Sequence, residues 1–307
     1  MKVEVNEAQR LQKLKKPKGK VDVVLDTDTY NEIDDQYALS FLVKSSDKLN
    51  LKALYAAPFS NKKAATPAEG MQKSFDEIFN ILTLLERDDL KKITFKGSEN
   101  YLSNENTPIY SPAAEDLARR AMDYSEENPL YVIAIAAITN VASAILINPE
   151  IINHIVVVWL GGNALHWPTN REFNLFQDIA GARIIFGCGV PLIMLPCLGV
   201  VSSFRTTGPE LNYHLKGKNK LCDYLVDVTE KEALLTYGRP TWSRAIWDVT
   251  AVAWLLDGDY MDDCLITSPI PEYDDKWGFD CTRHQIRYVF NIKRDNLFEE
   301  LFRKLAN

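Results

Sequence analysis

The chain has 307 residues and a formal net charge of −7, with 25% charged and 46% hydrophobic residues. This composition is typical of a globular chain that buries a large core. The acidic balance argues against nucleic acid or an anionic membrane surface as a partner. The five cysteines form no Cys-x-x-Cys pair, and their odd number fits a reducing compartment better than a disulfide framework or a zinc site.

The first 20 residues are expected to form a polar leader, and residues 21–307 to form a single domain. The leader has no apolar core of the kind a signal peptide needs, and its lysines are interpreted as solvated: Lys13, Lys15, Lys16, Lys18 and Lys20. No stretch of the sequence is apolar enough to span a bilayer. The cytoplasm is therefore the expected location.

Apolar strand-like segments alternate with helical ones along the rest of the chain. Strands are predicted at 21–25, 51–57, 92–96, 130–136, 155–160, 190–195 and 285–292, and helices at 37–43, 68–87, 112–124, 139–147, 178–186, 245–256 and 295–305. The polar tract 202–241 is interpreted as a helical insertion over the carboxyl edge of the sheet, without a clear strand. This order predicts an α/β fold with a mostly parallel central sheet and helices on both faces.

A knot of carboxylates follows the first predicted strand. The acids are Asp26, Asp28, Glu32, Asp34 and Asp35. In open α/β sheets, ligands bind at the carboxyl ends of the strands. Like charges this close repel unless a cation holds them or some stay protonated, so a hard cation such as Ca²⁺ or Mg²⁺ is the favoured interpretation over an ordinary polar turn.

Asp248 is the one acid on a strongly apolar helical segment, and two interpretations remain open for it. Asp is a good helix N-cap residue. An acid at that position also suits a metal site begun by Asp28 and Asp35.

Five segments in order resemble the nucleoside hydrolase family of the inosine–uridine type. They are LDTDTYNEIDDQYAL, AITNVASAILINPEI, VVVWLGGN, EFNLFQDIAGARIIFGCGVPLIML and IWDVTAVAWLLD. The first is similar to the family's DxDxxxDD motif, with two extra residues between the aspartate pairs. Together the segments extend from residue 21 to about residue 257, most of the chain.

The resemblance implies a Ca²⁺ site and a set of residues around it. Its ligands would be Asp28, Asp35, Asp248 and the backbone carbonyl of Thr139, with Asp28 also the general base for a calcium-bound water. The residues implied to bind substrate are Asp34, Asn61, Glu172, Asn174 and Trp247, and Asp26 is implied to support the cluster. From the residues alone, helix capping by Thr139 and ordinary polar loop positions for Glu172 and Asn174 are the favoured interpretations.

The activity that the resemblance implies is hydrolysis of the N-glycosidic bond of ribonucleosides to ribose and free base. The reaction passes through a ribosyl cation that nearby carboxylates stabilise, and a metal lowers the pKa of the attacking water. The partner would be a small nucleoside or ribosyl compound, and the chain would form a dimer or tetramer, as members of the family do.

The sequence departs from the family pattern in two places. Trp247 stands where members often have a His that helps to protonate the leaving base, and it either stacks on the base or packs in the core. The first acidic loop is longer and brings in Tyr30, Asn31 and Glu32, whose roles the sequence leaves open. His166 is the alternative proton donor, although a lone loop His is commonly a surface residue.

Three other functions stay open. The fold could act on a different ribosyl compound whose leaving group needs no acid, or could bind a nucleoside or sugar with weakened catalysis. Leu25-Asp26-Thr27-Asp28-Thr29 also resembles the nucleophile motif of haloacid dehalogenase-like phosphatases. That interpretation leaves Asp34 and Asp35 unexplained and lacks the later residues that such enzymes need.

Overall fold

In the computed structural model, which describes residue 3 and residues 5–307, β-strands and α-helices alternate over most of the chain. The strands are β1 (Val21–Thr27), β2 (Leu49–Ala56), β3 (Thr94–Lys96), β4 (Leu130–Ala134), β5 (Ile155–Leu160), β6 (Leu192–Leu195), β7 (Arg205–Thr206), β8 (Arg244–Ala245), β9 (Met261–Thr267), β10 (Ile270–Pro271), β11 (Trp277–Gly278) and β12 (Gln285–Ile292). The helices are α1 (Glu7–Lys13), α2 (Asp34–Lys44), α3 (Pro67–Leu84), α4 (Pro112–Arg120), α5 (Thr139–Ile147), α6 (Phe173–Gln177), α7 (Ile179–Gly187), α8 (Gly208–His214), α9 (Lys220–Tyr237), α10 (Val249–Trp254) and α11 (Arg294–Ala306).

Eight strands form one sheet in the order β3-β2-β1-β4-β5-β6-β12-β9. All neighbouring pairs are parallel except β12 with β9, which is antiparallel. Strands β4 and β5 are apolar and buried along their whole length, as expected for parallel strands covered on both faces. The predicted fold class is therefore confirmed.

Two hydrophobic cores lie on opposite faces of the sheet. Val23 and Leu25 of β1 point into one core, which α2, α10 and α11 cover, and Val24 points into the other, which α4, α5 and α7 cover. The strand order reverses at β1, where the chain runs out to β2 on one side and later returns to β4 on the other. This reversal is the topological switch point, and a crevice opens there at the carboxyl ends of the strands.

The amino-terminal segment is not a wholly solvated leader. Within it, α1 packs against the body of the protein with Lys13 and Leu14 buried. The ammonium group of Lys13 donates to the backbone carbonyl of Asn153 at 2.6 Å, and the guanidinium of Arg10 lies 3.5 Å from the carbonyl of Gly189. Long basic side chains can bury their stems while their charged ends find carbonyl partners, which a composition argument overlooks. The division at residue 20 and the single domain from 21 to 307 stay predictions.

Three further details differ from the sequence prediction. The tract 202–241 forms helices α8 and α9 as expected, but it also contains β7, which pairs with β8. The predicted helix 245–256 is shorter, since α10 begins only at Val249. The edge strand β9 was not predicted, because its sequence MDDCLIT is half-exposed and lacks a clean apolar face. Within the described residues, no helix is both long and apolar enough to cross a membrane.

Candidate active site

The acids of the first loop and the distant Asp248 meet at the carboxyl end of β1. Asp28 follows β1 directly, Asp34 and Asp35 open α2, and α10 packs against α2 so that Asp248 reaches the same point. One carboxylate oxygen from each of Asp34, Asp35 and Asp248 lies within 4.8 Å of the others. Asp248 occupies the N-cap position of α10 but its side chain makes no capping hydrogen bond. Its carboxylate therefore belongs to the acidic cluster rather than to the helix.

Several oxygens of this cluster are buried without a donor. Both carboxylate oxygens of Asp28 and Oδ1 of Asp34 have no hydrogen-bond partner, although the two side chains are 1% and 2% exposed. Buried polar atoms in folded proteins are nearly always paired, because an unpaired one loses its hydration without compensation. The oxygens are all hard ligands, so the donor set fits a divalent cation such as Ca²⁺.

The pKa values of the clustered carboxylates are raised above their ordinary values. Burial and then repulsion from Asp35 raise the pKa of Asp28 well above its ordinary value. Burial raises the pKa of Asp35 to about 7 even though the hydroxyl of Thr27 donates to it at 2.5 Å. Burial and then the charge of Asp34 raise the pKa of Asp248 as well. A positive charge among these carboxylates would favour their ionised forms.

Asp26 lies beneath the cluster and outside the cavity described below. Its Oδ1 accepts a hydrogen bond from Nδ2 of Asn140 at 2.8 Å, and Asn140 in turn accepts from the backbone amide of Ser98 at 2.8 Å. Burial raises the pKa of Asp26 to about 7. The pair ties β1 to α5 across the switch point, a contact that the local sequence around Asn140 does not reveal.

The side chain of Thr139 is engaged away from the cluster. Its hydroxyl donates to Asp178 at 2.6 Å, and Asp178 caps α7 through the amide of Gly181 at 2.7 Å. Thr139 thus fixes the start of α5 against α7. Metal ligation by its backbone carbonyl stays a prediction.

A cavity of about 290 Å³ opens above the acids. Its lining residues are Asp28, Asn31, Glu32, Asp34, Asp35, Ile135, Leu160, Asn163, Arg171, Glu172, Phe173, Asn174, Cys197, Leu198, Trp247 and Asp248. It combines an acidic floor with an apolar and aromatic wall, as small-molecule sites commonly do.

Glu172 is held rigidly at the edge of the cavity. It is the N-cap residue of α6, and its carboxylate accepts from the amides of Gly162 at 2.8 Å, Asn174 at 2.9 Å and Leu175 at 3.1 Å. Burial raises its pKa, while the three amides act in the opposite direction. Gly162 has a φ of +73°, and a Cβ there would lie 2.8 Å from the ring of Trp277, so only glycine suits this donor position.

Other predicted site residues lie at different distances from the cavity. Asn174 lines it and donates from Nδ2 to the carbonyl of Leu160 at 3.1 Å. Trp247 lines it and is half-buried. Asn61 is exposed and reaches the cavity only through Asn31, to which it donates at 2.7 Å.

His166 is exposed and is not among the residues that line the cavity. A Cβ on Gly199 would lie 3.2 Å from its Nε2, so the imidazole rests against the rim beside the cavity-lining Leu198. The structure thus brings together the acids, Glu172, Asn174 and Trp247, and leaves His166 and Asn61 at the periphery.

Sequence reasoning missed much of the cavity wall. Arg171 and Phe173 flank the predicted Glu172, which was a usable signal. Cys197 and Leu198 follow β6 in a loop whose sequence gave no functional hint.

The sequence shows Glu32 as an acid of the first loop, and the structure places it in an ion-pair network. The buried guanidinium of Arg244 lies 3.1 Å from Glu32 and 3.3 Å from Glu232 of α9. Glu232 also pairs with Lys63. Through Arg244, Glu32 of the longer first loop is linked to Glu232 in the helical insertion.

The open parallel sheet and the acidic cavity at its switch point define an α/β enzyme that binds its ligand at the carboxyl ends of the strands. Residues 23–289 match the family model described as inosine-uridine preferring nucleoside hydrolase. The chain belongs to this family, and it is a ribonucleoside N-glycosyl hydrolase by class.

Similar proteins support the assignment. The pyrimidine-specific ribonucleoside hydrolase RihA of Escherichia coli O1:K1 is 26% identical over 244 residues, covering 68% of this chain and 76% of RihA. The solved purine-preferring ribonucleoside hydrolase from Gardnerella vaginalis has a TM-score of 0.76 at 18% identity and covers 93% of this chain and 98% of its own. The plant nucleoside hydrolase PpNRh1 has a TM-score of 0.72 at 18% identity, with 93% and 99% covered. The solved structures show the shared fold.

Proposed function

We propose that this chain hydrolyses the N-glycosidic bond of ribonucleosides to ribose and free base in a Ca²⁺-dependent reaction, with Asp28 as general base. One observation carries the proposal. The buried carboxylate of Asp28 has no hydrogen-bond donor on either oxygen, and it lines the cavity beside Asp34, Asp35 and Asp248.

The residues that would hold the cation are Asp28, Asp35, Asp248 and the backbone carbonyl of Thr139. Asp34, rather than Asp28, forms with Asp35 and Asp248 the group in which one carboxylate oxygen of each lies within 4.8 Å of the others, so Asp34 offers a further ligand. Ca²⁺ suits this set because it accepts six to eight oxygen ligands in flexible geometry, whereas Mg²⁺ demands a near-ideal octahedron. When bound, such a cation would lower the pKa of a coordinated water molecule.

Asp28 is the residue that would accept the proton of the attacking water. Its carboxylate is fixed at the end of a buried strand, and no protein donor competes for either oxygen. A positioned carboxylate base typically contributes a factor of about 10² to 10⁴ to the rate.

Glu172, Asn174 and Asp34 would hold the ribose hydroxyls. The three backbone amides fix the orientation of Glu172, so it would meet a bound ribose without a rotamer search. Fixed carboxylates also stabilise the positive charge that develops on the sugar ring during bond cleavage. Asn61 would act through Asn31, since it donates to that cavity-lining side chain.

The leaving group faces a different set of residues. Trp247 lines the cavity next to Asp248 and would contact the base. Proton donation by His166 stays a prediction, because a substrate would have to extend to the rim beside Gly199 to reach it.

The test is release of reducing sugar from a panel of purine and pyrimidine nucleosides, with Ca²⁺ and with a chelator. Asp248→Asn should lose turnover, and Asp295→Asn is the matched control because it makes the same change on an exposed carboxylate of α11. Turnover that is the same with Ca²⁺ and with chelator would contradict the metal dependence.

A second candidate is a protein that binds nucleosides with weakened catalysis. The observation that favours it is the indole of Trp247 at the cavity wall, since an indole cannot donate a proton to a leaving base at neutral pH. A nucleoside that raises the melting temperature of the Ca²⁺-loaded protein without releasing ribose would support this candidate.

A further inference from the structure

The charge of the cavity is strongly one-sided. Six acidic side chains and one basic side chain line it, and the basic one is Arg171. The Arg171 side chain is 54% exposed, pairs with Asp275 at 3.3 Å, and lies 4.3 Å over the ring of Phe176. A bound divalent cation, together with the pairing of Glu32 with Arg244 at 3.1 Å, would offset only part of the acidic charge. The cavity therefore attracts cationic ligands and disfavours anionic ones.

Part of the cavity lining is apolar and aromatic. Trp247 and Phe173 are half-buried and line the cavity together with Ile135, Leu160 and Leu198. The face of an aromatic ring attracts a cation, by about 0.5–2 kcal/mol at protein sites, and Trp is the strongest of the aromatic residues. A positively charged heterocycle thus gains from both the wall and the floor.

The charge of the leaving base also favours a cationic substrate in this acidic cavity. A neutral base leaves as an anion unless it receives a proton, and an anion would separate toward this acidic surface. Glu172 accepts hydrogen bonds from three backbone amides, which favours its ionised form as an acceptor over a protonated form that could donate a proton to the base. The imidazole of His166 lies outside the lining. A base that is already positive leaves as a neutral molecule and needs none of these groups.

We propose that the preferred substrates of this enzyme are ribonucleosides whose base carries a formal positive charge at or beside the glycosidic nitrogen, such as pyridinium or 7-alkylpurine ribosides. This inference rests on the proposed hydrolase function. The C1′–N bond breaks with both electrons passing to the ring nitrogen, which neutralises the base. The water oxygen bonds to C1′ and its proton passes to Asp28. The products are ribose, the neutral base and one proton.

The first experiment compares guanosine with 7-methylguanosine at a mildly acidic pH, where 7-methylguanosine keeps its N1 proton and the two differ by one methyl group and one charge. It adds nicotinamide riboside as a pyridinium probe. Each kcat/KM is divided by the uncatalysed hydrolysis rate of the same compound, which removes the intrinsic lability of the cations. The normalised value for each cation should exceed that for guanosine by about tenfold, because the intrinsic difference between the leaving groups is divided out and only the acidic and aromatic lining of the cavity then favours the cation. Added salt should lower kcat/KM for the cations and leave that for guanosine nearly constant.

Two variants test the origin of the preference. Glu32→Gln removes one acid at the mouth of the cavity and should lower the ratio of cation to guanosine turnover about threefold, whereas Glu299→Gln, an exposed acid on α11, should leave the ratio unchanged. Trp247→His places a titratable imidazole on the wall and should raise guanosine turnover about tenfold.

Two outcomes would overturn the inference, and they are distinguishable. Equal normalised rates and equal salt dependence for guanosine and 7-methylguanosine would reject the cationic substrate class while leaving the nucleoside hydrolase function intact. Ribose release from none of the compounds, with Ca²⁺ present, would reject both.

Discussion

Two buried acidic regions of this protein show how the same residue type can serve opposite purposes. The side chain of Asp116 on α4 is 3% exposed, as buried as the acids at the end of β1. Its carboxylate receives hydrogen bonds from Tyr55 at 2.8 Å, from Arg120 at 2.7 and 3.1 Å, and from Arg119. Both oxygens of Asp28, by contrast, have no donor.

The difference lies in what surrounds each carboxylate. Asp116 follows the pattern of a structural ion pair, in which buried charge is neutralised by the protein itself. The cluster of Asp28, Asp34, Asp35 and Asp248 has no comparable set of donors among the described residues, which supports the proposed bound cation. Acid content alone therefore does not mark a site, whereas buried acid without donors does.

The largest expected effect separates the two regions by activity. Asp28→Asn should lower kcat/KM by about 10³-fold, because it removes both a cation ligand and the proposed general base. Asp116→Asn should change kcat/KM less than about threefold, because its partners lie outside the cavity. Steady-state kinetics on the best nucleoside measures both. A comparable loss in the two variants would remove the functional distinction between the regions.

Metal removal should separate them by stability. Ca²⁺ at a hundred times its dissociation constant should stabilise the native protein by about 2.7 kcal/mol over the chelated form. The gain should persist in Asp116→Asn and vanish in Asp35→Asn, which loses a carboxylate of the proposed metal group. Chemical denaturation with and without Ca²⁺ gives the difference, and an unchanged gain in Asp35→Asn would argue against ligation by that residue.

The contribution of Asp116 to stability should come from the hydrogen bonds that its carboxylate accepts. Asp116→Ala should cost about 2 kcal/mol of unfolding free energy, since Arg120 and the hydroxyl of Tyr55 lose a common acceptor in a buried setting. Asp34→Ala in the chelated protein should cost less or even stabilise, because Oδ1 of Asp34 gives up no hydrogen bond and a repelling charge disappears. Urea unfolding of both variants in chelator measures this contrast, and a larger cost for Asp34→Ala would contradict it.

The smallest effect concerns the one hydroxyl that donates into the cluster at short range. Thr27→Val removes the 2.5 Å hydrogen bond to Asp35 while keeping the side-chain shape. Ca²⁺ affinity should fall about tenfold, the usual cost of losing a group that orients a metal ligand. Calorimetric titration measures the change, with Thr250→Val as a control whose hydroxyl bonds only to the carbonyl of Trp247. A similar loss of affinity in the control would show that Thr27 has no special role.

The sequence predicted those parts of the fold that local patterns determine. Continuous apolar runs such as β4 and β5 indicated the parallel sheet, and the acids after β1 indicated its ligand-binding edge. The resemblance groups Asp248 with these acids, whereas the residue by itself slightly favours a helix cap.

The features that could not be predicted from the sequence depend on tertiary contacts. Strand β9 is stabilised by pairing with β12 rather than by its own half-exposed residues. Lys13 is buried because it reaches the carbonyl of Asn153, a contact 140 positions away in the chain. Leu198 joins the cavity wall only because β6 ends beneath it.

The pairing of β12 with β6 has a consequence for the order of folding. Arg287 pairs with Ile193, and the chain between them contains α8, α9, β8 and α10. Arg244 in β8 and Asp248 at the N-cap position of α10 both lie in this stretch. Closing so long a loop delays the contacts at its ends, since its entropy is lost before non-local pairing compensates for it. Affinity for Ca²⁺ should therefore appear in the slow kinetic phase of refolding, after most of the helical circular dichroism has returned.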